Sequence, residues 1–183
     1  MKKIIAFSGT HGSGKSTCAY QLTTKMKLKG YNVILLDELA RKCPFPINKD
    51  ADERTQIWIM LKQALEEIEL VDGVDYLIVD RGIYDGYFYD RVVNDNMTLC
   101  DHFLGYASVH ASQYYKKIYV TDKDSFNFQI ADGVRDMEKK FRDDVFEMVL
   151  SCYDRWNIHR EENNKIPYKI IHSIEEVYED LGI

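Results

Sequence analysis

A chain of 183 residues, 45% of them hydrophobic, with three prolines and no low-complexity tract, has the length and composition of one globular domain, which argues against disorder. Its formal net charge of −6 supplies no overall field for a polyanion, so a nucleic-acid polymer is not favoured as a partner, whereas a small anion held by a local loop fits. Cys18, Cys43, Cys100 and Cys152 lack C-x-x-C spacing and indicate neither a zinc site nor a redox pair; no signal-peptide pattern or membrane-length apolar run occurs, so the chain reads as cytoplasmic with no membrane partner.

In chain order, an apolar strand over 2–8 leads into Gly9-Thr10-His11-Gly12-Ser13-Gly14-Lys15-Ser16, and a helix over about 15–29 follows, stopped by Gly30. Val33, Ile34, Leu35 and Leu36 form a second apolar run ending at Asp37 and Glu38, as expected of a parallel strand covered on both faces. Residues 39–50 are irregular and carry Pro44 and Pro46. The spacing of Ile57, Met60, Leu61, Ala64, Leu65 and Ile68 predicts a helix over 51–71 with those residues on its core face. A third strand over 76–79 ends at Asp80 and Arg81; helices are expected over 84–93 and 99–112, and a fourth strand over 117–121. A long helix over about 137–160 carries Phe141, Val145, Val149, Cys152 and Trp156 on one stripe. Residues 168–171 form the last strand, and Ser173-Ile174-Glu175-Glu176 reads as a capping box for a terminal helix. Five strands with helical connections predict a three-layer α/β domain spanning 1–183, with a mostly parallel sheet.

The stretch from Gly9 to Ser16 fits G-x-x-x-x-G-K-[ST] between a strand and a helix, the context a P-loop requires. Its glycines let backbone N–H groups converge on an anion, and the helix N-terminus adds its positive dipole end. Gly9, Thr10, His11, Gly12, Ser13, Gly14, Lys15, Ser16 and Thr17 are therefore expected to bind the phosphates of ATP, with Lys15 on the β- and γ-phosphates and Ser16 on Mg²⁺.

In a sheet of this class the ligand lies beyond the C-terminal ends of the strands. Asp80 is placed as a Walker-B aspartate and is expected to join Ser16 at Mg²⁺. Glu38 is expected on the acceptor side, binding a ribose hydroxyl or acting as general base. Arg41 and Arg81 are candidates to clamp an anionic acceptor, with surface ion pairs as the alternative. Asp85 is a weaker acceptor-side candidate, since a carboxylate at a helix start is favoured by the dipole alone. Arg135 and Arg142 are candidates for a small lid over about 122–142 that closes on the phosphates, against an ordinary charged helix face. Gln56 and Gln63 could read a base edge, although residues on such a helix are more often core or solvent-facing. Tyr84, Tyr87 and Tyr89 fall near the site and are read as packing residues.

The P-loop, the second-strand ending Asp37-Glu38-Leu39-Ala40-Arg41, the third-strand ending Asp80-Arg81-Gly82 with Asp85 after it, and the late Asp132-Gly133-Val134-Arg135 resemble the P-loop kinases of nucleosides and nucleotides. The resemblance is to the thymidylate-kinase-like branch and to the kinase domain of nicotinamide-riboside-phosphorylating bifunctional proteins. It implies Lys15, Asp80, Arg81 and Arg135 as catalytic, with Arg81 on the acceptor or the transferring phosphoryl group, and Ser173, after the last strand, as bordering the donor adenine; the residues themselves add Glu38 as a catalytic candidate and Glu38, Arg41, Gln63 and Asp85 as acceptor-binding candidates. The expected reaction is ATP- and Mg²⁺-dependent phosphoryl transfer to a nucleoside monophosphate. The alternatives are a kinase acting on a nucleoside hydroxyl, nicotinamide riboside included, and a nucleotide-dependent regulatory ATPase or switch. GTP specificity is not supported, because Asn48-Lys49-Asp50-Ala51 lacks the last Asp of Asn-Lys-x-Asp and lies in an early loop. The expected partner is a small nucleoside or nucleotide, with a homodimer left open.

Overall fold

A computed structural model of the chain describes residues 2–47, 50–94, 96–126, 139–158 and 166–183. The apolar runs become five strands: β1 (Ile4–Ser8), β2 (Val33–Leu36), β3 (Tyr76–Asp80), β4 (Tyr115–Thr121) and β5 (Tyr168–Ile171). They pair in the order β2-β3-β1-β4-β5 and every pairing is parallel, so the sheet is all-parallel where a mostly parallel one was expected. The central strand β1 is buried along its whole length, whereas the edge strands β2 and β5 are buried only in part. Successive side chains of a strand point to opposite faces, and β1 shows it. Ile5 and Phe7 pack with Cys18, Ala19, Leu22 and Met26 of α1 (Lys15–Leu28) and Val177 of α6 (Glu175–Leu181). Ile4 and Ala6 face the core shared by α2 (Glu53–Val71), α3 (Asp85–Val93), α4 (Leu99–Tyr114) and α5 (Lys139–Ile158).

Phe7 lies in register with Asp80, and Ser8 with Val120. The turns that leave β1, β3 and β4 therefore emerge side by side, and this positions the site. No helix among the described residues is long and apolar enough to cross a membrane.

Two expectations change. The helix α6 starts one residue late for the predicted capping box: Ile174 is its N-cap, with no side-chain cap bond. Glu176 is then the second helical residue, and its Oε1 accepts from the His172 amide at 3.4 Å instead of capping Ser173. True capping boxes close α2 (Asp52 with Thr55) and α4 (Thr98 with Asp101). The second change is the buried face of α2, which is Thr55, Gln56, Met60, Gln63, Ala64, Glu67 and Val71, while Leu61, Leu65 and Ile68 are 48%, 55% and 45% exposed. The buried carboxyl of Glu67 finds partners on both neighbouring elements, His110 of α4 and Tyr115 of β4, and this satisfied network rotates the apolar stripe outward. The predicted lid residues 127–138, with Arg135, lie outside the described residues; α5 is described from Lys139, and its stripe of Phe141, Val145, Val149 and Cys152 is buried as expected.

Candidate active site

The P-loop needs backbone conformations that side chains resist: Gly9, Gly12 and Gly14 have φ of 131°, 71° and 83°. Gly14 is also the N-cap of α1 and offers no side chain to the first-turn amides, which leaves them to an anion. The loop is tied from outside. Ser13 Oγ donates to the Thr10 carbonyl at 2.7 Å and meets Thr121 Oγ1 at 2.6 Å, at the end of β4. Arg142 of α5, 8% exposed, donates from Nε to the His11 carbonyl and from Nη2 to the Lys123 carbonyl, both at 3.1 Å. It thus holds the loop's backbone, a placement that neither sequence reading of it anticipated.

Lys15 is buried and donates to the Thr10 carbonyl. Burial, with Arg81 nearby, lowers its pKa to about 8 against the pull of Asp80, Glu38 and Asp85. A polyphosphate is held best by the ammonium form, so binding takes up a proton near pH 8 and weakens above it. The affinity for Mg·ATP is expected to fall above pH 8 with a limiting slope of about tenfold per pH unit. Titrations between pH 7 and 9.5 check it, and a flat profile would count against a phosphate-binding Lys15.

At the end of β3, Asp80 is 3% exposed, and its Oδ1 has no hydrogen-bond partner among the described residues. The Ser16 hydroxyl favours the charged form of the same carboxyl, but burial and Glu38 outweigh it and raise its pKa. An orphaned, buried carboxylate oxygen beside a hydroxyl suits Mg²⁺, which keeps several waters and needs few protein ligands. No group of three or more His, Cys, Asp or Glu side chains among the described residues forms a metal cage.

After β2, Glu38 accepts from Arg81 Nε at 2.6 Å on Oε1 and from Arg41 Nε at 3.1 Å on Oε2. The Glu38 and Arg81 side chains are 15% and 12% exposed; Arg41, at 41%, lies on the rim. Burial pushes the Glu38 carboxyl up, but Arg81, Lys15 and Arg41 outweigh it and bring its pKa to about 2. The Arg81 guanidinium lies over the Tyr89 ring, 4.7 Å from its centroid. Arg81 is also the one non-glycine with positive φ among the described residues, at 80°, a conformation costing roughly 1–3 kcal/mol that surrounding bonds must hold. Asp85 supplies one such bond: its Oδ2 accepts from the Gly82 amide at 2.9 Å, while Oδ1 accepts from the Gly9 amide at 3.4 Å. It is 2% exposed, and burial raises its pKa to about 6. Asp85 therefore fastens the turn after β3 to the start of the P-loop.

One cleft brings most of these groups together. It is lined by His11, Gly12, Gly14, Lys15, Ser16 and Thr17 of the P-loop and by Glu38, Arg41, Arg81, Asp85, Gln56 and Tyr89, with Ala40, Ile47, Ile59 and Gly86; Asp80 is not among the lining residues. Gln63 is not among them: it is buried one helical stretch away, and its amide donates to Glu67 Oε1 at 2.6 Å. The loop after β5 does not line the cleft either; His172 Nδ1 meets Ser125 Oγ at 3.0 Å, and Ser173 is half-buried beside it. The reading of the three tyrosines as packing residues holds for Tyr84, which is fully buried against Tyr153 and Trp156. It holds for Tyr89 too, which is 6% exposed and packs on Phe141, but Tyr89 also lines the cleft, four residues after Asp85 on the same side of α3.

The family profile described as AAA domain matches residues 4–168. The chain belongs to this AAA-domain family. No curated protein matches it. Solved structures similar to this family member include deoxyadenosine kinase from M. mycoides with the products dCMP and a flexible dCDP bound. That structure has a TM-score of 0.69 and 14% identity, with 98% of each chain covered. The same enzyme with bound dATP matches with a TM-score of 0.63 and 16% identity over 99% of this chain and 100% of that one. Thymidylate kinase from Ehrlichia chaffeensis gives 0.70 and 17%, with 98% of each covered. This member of the family thus has the P-loop kinase fold, with an all-parallel sheet in the order 2-3-1-4-5.

Proposed function

We propose that this chain is a P-loop kinase that transfers the γ-phosphoryl group of ATP, with Mg²⁺, to a small nucleoside monophosphate. The observation that carries the choice of acceptor is the state of Glu38, each of whose oxygens is engaged by a guanidinium and whose pKa is near 2. A nucleoside hydroxyl must lose a proton as it attacks, and so weak a base next to two arginines serves that step poorly. A monophosphate oxygen is already nucleophilic and needs cationic positioning, which Arg41 and Arg81 offer.

In this reading the P-loop amides and Lys15 hold the β- and γ-phosphates, and Ser16 and Asp80 hold Mg²⁺. The bound cation would neutralise charge on the β- and γ-oxygens. The acceptor oxygen forms a bond to the γ-phosphorus as the bond to the bridging β,γ-oxygen breaks, and ADP departs carrying that electron pair. Arg81 stands between the two substrates, and Gln56 and Tyr89 face the acceptor. The fold of the solved kinases supports this reading.

The experiment is Arg41→Ala. Losing one charge-assisted contact of the order of 1.5–3 kcal/mol is expected to raise the KM for the monophosphate about tenfold or more, with the KM for ATP within about twofold. Unchanged monophosphate affinity would remove the clamp. ATP turnover indifferent to every small acceptor but stimulated by a macromolecule would favour a regulatory ATPase.

A further inference from the structure

We propose that Tyr115 is a positioning residue: its hydroxyl fixes the Ile83 amide and thereby holds the turn that presents Arg81 to the cleft. The proposal rests on the kinase reading for the role of Arg81, but not for the geometry of the turn.

Three amides anchor the turn after β3. The Arg81 amide continues the sheet by donating to the Phe7 carbonyl at 3.0 Å, and the Gly82 amide donates to Asp85 Oδ2 at 2.9 Å. The third anchor comes from 32 residues away: the Ile83 amide donates to Tyr115 Oη at 2.8 Å. Tyr115 is fully buried and Ile83 is 1% exposed, so no solvent stands ready to replace that bond. The Tyr115 ring also underlies Gly82, where a Cβ would lie 3.5 Å from Cε1. Ring and hydroxyl together support the two residues that follow the left-handed Arg81.

A phenol has one proton, and where it points decides whether the oxygen can accept from Ile83. Burial, reinforced by the Glu67 carboxyl, holds the Tyr115 pKa well above its ordinary value and keeps that proton in place. It goes to Glu67 Oε1 at 2.7 Å, which leaves a lone pair facing the amide. Glu67 is held in turn by the Gln63 amide at 2.6 Å and by His110 Nε2, 2.6 Å from Oε2. Glu67, Gln63 and His110 are 0%, 3% and 3% exposed. A fully satisfied buried network of this kind selects one geometry where an apolar core tolerates several. It touches neither the P-loop nor Asp80, so donor binding does not explain it. Its presence also accounts for the burial of Gln63 and Glu67 at the expense of Leu61, Leu65 and Ile68 on the same helix.

Tyr115→Phe keeps the ring and deletes the hydroxyl; Glu67→Gln keeps an oxygen able to accept from Tyr115. Amide hydrogen exchange followed by NMR gives a readout independent of catalysis. In Tyr115→Phe the Ile83 amide is expected to exchange at least about 100-fold faster, with the Ile5 and Val79 amides unchanged. The kcat should fall about 10- to 100-fold and the acceptor KM rise, with the KM for ATP within about twofold, because a small displacement of a positioned group costs that much. Glu67→Gln should stay within about threefold of the parent in both readouts. Parental Ile83 exchange in Tyr115→Phe would overturn the proposal. So would a uniform loss in which the ATP KM and the Ile5 and Val79 amides change together, the mark of a merely structural residue. Should the parent phosphorylate no acceptor, the kinase reading falls and the Ile83 exchange rate alone decides the positioning.

Discussion

Arg81→Ala is expected to lower kcat by about 10³-fold, the lower end of what a transition-state arginine contributes in phosphoryl transfer. The side chain combines two features that a lysine cannot reproduce, an Nε bond to Glu38 and a planar face over Tyr89, and in the proposed kinase its fork would reach both substrates. Arg81→Lys should therefore recover less than about a tenth of the lost rate. Arg81→Ala also costs stability, since breaking a buried pair typically costs about 3 kcal/mol, reduced here because Arg41 and Lys15 still face Glu38. The sign with pH follows from the lowered pKa of Glu38. Its contribution is complete above the ordinary carboxylate value and is lost as pH falls towards 2; without Arg81 the folded carboxyl titrates higher, so the contribution is smaller and is exhausted at a higher pH. Steady-state kinetics with denaturant melts at pH 7 and pH 3 separate the two effects. A variant that loses stability and keeps its kcat would reduce Arg81 to a structural ion pair.

Asp80→Asn should move activity and stability in opposite directions. Replacing the carboxylate by a carboxamide removes the charge that would hold Mg²⁺, and kcat is expected to fall about 10²- to 10³-fold with a higher Mg²⁺ requirement. In the absence of nucleotide and metal, however, the parent carries a buried carboxylate whose pKa is raised by burial and by Glu38. A raised carboxyl pKa means that the folded state loses stability as pH rises through the ordinary carboxylate range, so the neutral Asn should melt at a higher temperature at pH 7. Adding Mg·ATP should raise the melting temperature of the parent more than that of the variant. Equal shifts would place the metal elsewhere. Such a conflict between an isolated charge and a stable fold is expected where a residue waits for its ligand.

Sequence reading found the groups whose chemistry is tied to a strand end. The spacing of Gly9, Gly14, Lys15 and Ser16 is local, and Glu38 and Asp80 each follow a short apolar run, so period and turn position place them without tertiary information. What it missed depends on how helices rotate. Gln56 and Gln63 lie seven residues apart on one face of α2, and only the packing against α3 and α4 puts the first on the cleft and the second in the core. The outward turn of Leu61, Leu65 and Ile68 has the same cause: Glu67 meets His110 and Tyr115 from 43 and 48 residues away, and their mutual satisfaction leaves no trace in a hydropathy pattern. Asp85 reads as a dipole-favoured helix start but bonds to Gly9 and Gly82, a link across 76 residues for the first. Arg142 reads as a lid or surface charge and instead holds the His11 carbonyl.

The central claim is tested most directly by Mg²⁺-dependent transfer from ATP to a panel of nucleosides, nucleoside monophosphates and nicotinamide riboside, with Lys15→Ala as the background. Transfer to a nucleoside monophosphate, absent with the unphosphorylated nucleosides and abolished in Lys15→Ala, is the predicted result. Transfer to a nucleoside hydroxyl alone, or to no acceptor despite ATP binding by the parent, would contradict it.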